Sequence, residues 1–119
     1  MVIDPVELVQ RYHDALNRYD PKIMLLMFAE TATYQSPGVG GLIIGRVSII
    51  EAFDAYFAQY PDQIAVDDAF VAIGTHTARA DWRLKATSKA TGSVYERQGR
   101  ETVTFNDEGR ILRVEVEDR

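Results

Sequence analysis

Apolar and polar positions change period once along the chain. In the first half Val6, Val9, Tyr12, Leu16 and Tyr19 recur at helical spacing, one face of an amphipathic helix over 5–18. Asp4 followed by Pro5 is a start signal, an N-cap with proline where its missing N–H costs nothing. Asp20-Pro21 repeats that signal and predicts a short, very apolar helix to about residue 30. A short strand is expected over 31–36, followed by irregular chain where Pro37, Gly38, Gly40, Gly41 and Gly45 cluster. Ser48 with Glu51 reads as a capping box for a third helix, whose apolar face holds Ile49, Ile50, Phe53, Phe57 and Tyr60 and which Pro61 ends.

The second half alternates with a period of two. A strand is expected over 63–73. From His76 onward, His76, Ala78, Ala80, Trp82, Leu84 and Ala86 share one face, while Thr77, Arg79, Asp81, Arg83 and Lys85 share the wet one. Thr91-Gly92 leads by a hairpin into a strand over 93–105, and Asn106 to Gly109 leads into a last strand over 111–117 with Leu112, Val114 and Val116 inward. Helices first and an antiparallel sheet after predict an α+β fold, three N-terminal helices packed in the concave face of a curved sheet. Residues 1–119 read as a single domain, with no internal repeat or linker.

Composition narrows the function. At 46% hydrophobic and 26% charged, the chain has the balance of a folded soluble domain. It lacks cysteine, so thiol chemistry, disulfides and cysteine zinc sites are excluded. A net charge of −5 disfavours nucleic acid and anionic membranes as partners. The longest apolar run, 23–29, is far below the ~20 residues that span a bilayer. No address signal is visible, and a cytoplasmic location is expected. His13 and His76 lack metal-ligand spacing, and the glycine segment lacks the dinucleotide fingerprint, so neither metal nor cofactor is expected.

Candidate chemistry lies where a polar group interrupts an apolar face, because burying it costs free energy unless it is paired. Glu101 shares its strand face with Tyr95, Val103 and Phe105. Three readings stay open for it: a carboxyl group whose pKa is raised by desolvation, a pairing with Arg97 on the same face, or a register slip at Gly99. Tyr12 lies on the helix 1 stripe, its ring able to pack while the hydroxyl seeks a partner. Ser36 and Tyr34 share a strand face before Pro37, and Asp118 continues the face of Val114 and Val116.

Several stretches resemble the ketosteroid isomerases and SnoaL-like cyclases of the nuclear transport factor 2-like superfamily. They are Val9-Gln10-Arg11-Tyr12 with Ala15-Leu16-Asn17, residues 28–33 through Ser36-Pro37-Gly38, Gly45 with Ile49 and Phe53, and the hairpin 105–111. The resemblance implies a cone-shaped fold with an internal pocket for a small hydrophobic carbonyl, steroid-like or polyketide-like molecule. It implies that Tyr12 and Glu101 form an oxyanion-type catalytic site, Glu101 standing where the family has a protonated aspartic acid. The expected pocket wall is Leu16, Met24, Tyr34, Ser36, Phe53, Trp82 and Asp118. The family's general-base aspartate is replaced here by Ser36, a hydroxyl that cannot take a carbon-bound proton at neutral pH unaided. His76, Asp118 and Asp81 are the candidate substitutes. Isomerase, cyclase or dehydratase chemistry is one expectation. A non-catalytic small-molecule carrier is another, and a dimeric interaction module a third. A homodimer is expected by resemblance.

Overall fold

The computed structural model describes residues 2–119. Its elements are α1 (Pro5–Arg18), α2 (Pro21–Met27), β1 (Phe28–Ser36), a 3₁₀ turn (Pro37–Val39), β2 (Gly41–Ile44), α3 (Arg46–Gln59), β3 (Ile64–Ala72), β4 (Thr77–Thr87), β5 (Val94–Phe105) and β6 (Ile111–Asp118). The strands form one sheet in the order β2-β1-β6-β5-β4-β3. All neighbours pair antiparallel except β1 and β6, which run parallel. The three helices lie against this mainly antiparallel sheet, as the change of period predicts.

Local signals act as read at the first two helices. Asp4 accepts from the N–H groups of Val6 (3.1 Å) and Glu7 (3.2 Å), and Asp20 from that of Lys22 (2.9 Å). Such caps satisfy donors that the first helical turn leaves orphaned. α2 then ends at Met27 rather than near residue 30. Phe28 pairs with Ile111 and is fully buried, so sheet pairing takes over a segment whose local preference is ambiguous. The capping box at Ser48 does not form. The cap of α3 lies three residues earlier, at Gly45, whose φ of 92° suits glycine, and no side chain caps it. The glycine segment also holds an edge strand, β2, that the break in pattern concealed.

The alternation of β4 is as expected, with Ala78, Ala80, Trp82 and Ala86 buried. β6 departs from expectation at its start. The register shifts between Thr104 and Phe105, so Ile111 is buried and Leu112 is exposed, while Val114 and Val116 point inward. The core joins both halves: Val9 and Tyr12 of α1, Met24, Phe28, Ile49 and Phe53 pack with Trp82, Val103, Phe105 and Val114. Burying a side chain of this size contributes about 1.5–3 kcal/mol.

A bulge in β3 matters for the site. Asp67 pairs with Trp82 and Ala69 with Asp81, so Asp68 is an extra residue. The insertion switches the phase of the strand. Ala65, Asp67 and Phe70 therefore turn inward, which strict alternation would forbid.

Candidate functional site

α1 crosses the sheet over β3, β4 and β5, and a side-chain clamp sets its height. Asn17 donates from Nδ2 to the carbonyl of Ala65 and accepts from the Ala65 N–H through Oδ1, both at 3.0 Å. One turn earlier, His13 occupies the i+4 position of the stripe that begins at Val9. It is 7% exposed and sits between two carboxylates. Nδ1–H donates to Asp67 on β3 at 2.7 Å, and Nε2–H donates to Glu101 on β5. Three elements far apart in sequence thus meet in one buried Asp67–His13–Glu101 chain.

The electrostatics follow from that geometry. Burial alone lowers the pKa of His13, but the charge of Glu101 and the hydrogen bonds to Asp67 and Glu101 outweigh it and raise the value to about 10. His13 is therefore an imidazolium at neutral pH, neutralising one of two inward carboxylates. Asp67 fixes the ring's orientation, as a carboxylate behind a catalytic histidine does.

Glu101 and His13 form one wall of a pocket. Leu16, Val39, Phe53, Phe57, Ala65, Trp82, Leu84 and Val116 supply its apolar lining. Tyr34, Ser36, Tyr56, Gln63 and Arg97 supply polar groups. Tyr34 and Ser36 share a side-chain hydrogen bond, and burial pushes the Tyr34 hydroxyl far above its usual range. A mostly apolar cleft with a few converging polar groups is the usual form of a small-molecule site.

Of the residues expected in the site, Leu16, Tyr34, Ser36, Phe53, Trp82 and Glu101 come together around this cleft. Tyr12 lies behind it, 1% exposed, against Phe28 and His13. Its buried hydroxyl has Tyr34 and Glu101 as polar neighbours. Burial holds that hydroxyl's pKa well above normal, and Tyr34 and Glu101 add to the effect. Met24 is fully buried in the core and does not reach the pocket. Asp118 lies outside it, half exposed, and binds Arg97.

The pairing of Glu101 with Arg97 does not occur. β5 and β6 pair Gly99 with Asp118, which brings Asp118 beside Arg97 instead. The proposed substitute bases fall elsewhere too. His76 precedes β4 and binds Asp107 at 2.8 Å, and Asp81 faces outward to Arg100 (2.9 Å) and Arg119 (3.1 Å). Sequence reasoning passed over His13 and Asp67. The signal for His13 was present, since the spacing 9, 12, 13, 16 is the full apolar stripe of a helix. Asp67 was hidden by the bulge. Among the described residues no cluster of His, Asp and Glu is arranged to hold a metal ion.

The SnoaL-like domain model matches residues 9–114. The chain belongs to the SnoaL-like family. No curated protein matches its sequence. Solved structures with this family's fold include the epoxide hydrolase/cyclase-like enzyme SalBIII, which acts in pyran ring formation in the polyether salinomycin. That enzyme is 18% identical with a TM-score of 0.83, over 95% of this chain and 88% of that one. A Mycobacterium tuberculosis protein in complex with estradiol-17β-hemisuccinate is 15% identical with a TM-score of 0.82, over 94% and 91%. A Catenulispora acidiphila protein with a ketosteroid isomerase-like fold, in complex with trimethylamine, is 15% identical with a TM-score of 0.83, over 96% and 86%. At these identities the likeness is one of fold, and it confirms the cone-shaped architecture for this SnoaL-like chain. No helix among the described residues is long and apolar enough to cross a membrane.

Proposed function

We propose that this SnoaL-like protein is an acid–base enzyme acting on a small, largely apolar molecule with a carbonyl or epoxide oxygen. The observation that carries the reading is the buried Asp67–His13–Glu101 chain opening onto an aromatic pocket. A structural role alone does not call for two carboxylates and an imidazole on the inner face of a cone, because each costs desolvation. In an enolisable ketone, Glu101 takes the proton from the α-carbon while the C–H electrons move to the carbonyl oxygen. The hydroxyls of Tyr34 and Ser36 line the same pocket and receive that oxygen's developing charge. Returning that proton to the γ-carbon of a β,γ-unsaturated ketone, as the electrons move back from the oxygen, completes an isomerisation; giving it instead to a β-hydroxyl that leaves as water completes a dehydration. This assigns the missing base to Glu101 with His13 behind it, and gives Tyr12 the role of packing that pair. The cyclase-like and steroid-binding neighbours support the substrate class. The same reading carries a homodimer, for which the exposed Ile64, Val66 and Val71 of β3 provide apolar surface.

The test is exchange of α-hydrogen for deuterium in enolisable aryl ketones in heavy water, followed by NMR. Wild type is expected to accelerate exchange, and Glu101→Gln to lose about 10²-fold or more. Equal rates in wild type and Glu101→Gln refute the role of Glu101. Binding without exchange in any ketone favours the carrier reading.

A further inference from the structure

Arg97 is the charged pocket residue that this mechanism leaves unused. It projects from the same face of β5 as Glu101 and lines the same pocket, with its side chain only 13% exposed. Its guanidinium lies 5.4 Å from the centre of the Trp82 ring. Nε and Nη2 both donate to a single oxygen of Asp118, at 2.9 and 2.5 Å. The carboxylate that balances it sits half exposed near the chain end, where solvent screens it. A guanidinium has five N–H donors in a fixed fork suited to carboxylates; Asp118 takes one edge and Tyr95 accepts a further hydrogen bond, so donors remain on the other side. Arg97 lines this pocket together with Tyr34 and Tyr56, and its positive charge acts on both hydroxyls.

Spacing adds a length. Arg97 and Glu101 are four residues apart on one strand, about 13 Å between their Cα positions. Gly99 between them carries no side chain, and the Trp82 ring lies over it. The floor between the two charged groups is therefore flat and aromatic.

Resting on the acid–base reading of this pocket, we propose that the substrate is a carboxylate anion. Arg97 binds its carboxylate, and an extended apolar body lies over Trp82 and places the reacting carbon at Glu101. Arg97 is on this account the residue that determines specificity.

Trp82 is the single tryptophan, so its fluorescence reports occupancy of this pocket. The probes are phenylacetate, phenylbutanoate, phenylhexanoate and phenyloctanoate, each against its methyl ester. The longer acids are expected to bind at least about tenfold more tightly than their esters, as a charge-assisted bidentate contact warrants. Arg97→Met brings the acid-to-ester ratio to near one, and Arg97→Lys gives an intermediate value because it keeps charge without the fork. Asp118→Asn raises the ratio, since it removes the competing carboxylate; a purely structural Arg97–Asp118 clamp predicts no such rise. Equal binding of acids and esters by wild type overturns the proposal, as does a ratio that survives Arg97→Met or an absence of binding by every acid. Should Arg97→Met fail to fold, Arg97→Lys and Asp118→Asn decide, and an unchanged ratio in both overturns it. Acid selectivity without deuterium exchange retains the anchor and discards the catalytic reading, and exchange without acid selectivity does the reverse.

Discussion

Stability between neutral and alkaline pH should report directly on His13. In the folded chain its pKa is about 10, against 6.5 as the ordinary value. A group whose pKa is higher in the folded state stabilises fully below its unfolded value and loses that contribution as pH rises through the folded one. For His13 the window therefore runs from 6.5 to about 10. Within it the folded chain holds one more proton than the unfolded chain, so stability falls by about 1.4 kcal/mol per pH unit. From pH 6.5 to about 9.5, short of tyrosine and lysine titration, the summed loss is about 3–4 kcal/mol. That is a large share of the ~5–15 kcal/mol that holds a domain together. The perturbation that isolates it is His13→Gln, which keeps a hydrogen-bonding side chain and removes the titration. Its cost at neutral pH should be about 3–5 kcal/mol, because Asp67 and Glu101 are left facing each other without their shared cation. Urea unfolding followed by Trp82 fluorescence across this pH range measures both effects. Wild type should decline steeply, and the variant should begin lower and stay nearly level. Parallel pH profiles for the two proteins would refute the assignment of His13 as the bridging imidazolium.

Two further substitutions test the surroundings of the site. Gly99→Ala places a Cβ 2.3 Å from one carbon of the Trp82 ring and 2.6 Å from the next, so the ring must move; a loss of about 1–3 kcal/mol and a shift of the tryptophan emission are expected in thermal and spectral measurements, and an unchanged spectrum would contradict the packing. Tyr12→Phe deletes a buried hydroxyl whose polar neighbours are Tyr34 and Glu101. Stability should change by no more than about 1 kcal/mol, and a larger drop in a urea melt would show that the hydroxyl is a full partner in this network.

Glu101 was legible in the sequence because strand alternation is a local rule: a carboxylate among Val103, Phe105 and Tyr95 is visibly on an inner face. Its partner was not legible. Hydrogen-bond partners 88 residues apart depend on where α1 lands on the sheet, and the Asn17 clamp that sets this is itself a long-range contact. The same holds for Arg97, whose partner follows from the pairing of Gly99 with Asp118 rather than from any spacing within β5. Asp67 needed more than pairing. Its face and that of Phe70 agree only because of one extra residue, Asp68, since a single inserted residue reverses every face beyond it.

The sequence by itself determined the three helices and the run of strands after the third, the aspartate caps, the inner rows of β4 and β5 and the absence of thiol chemistry. These follow from periodicities of 3.6 and 2 and from which residues are present, both properties of neighbouring positions. Tertiary structure alone decided that α2 yields to β1 at Phe28, that Leu112 faces outward, that Met24 and Tyr12 stay behind the pocket, and that His13 stands between Asp67 and Glu101. Each of these depends on strand register and helix height, which are set by the whole core packing at once.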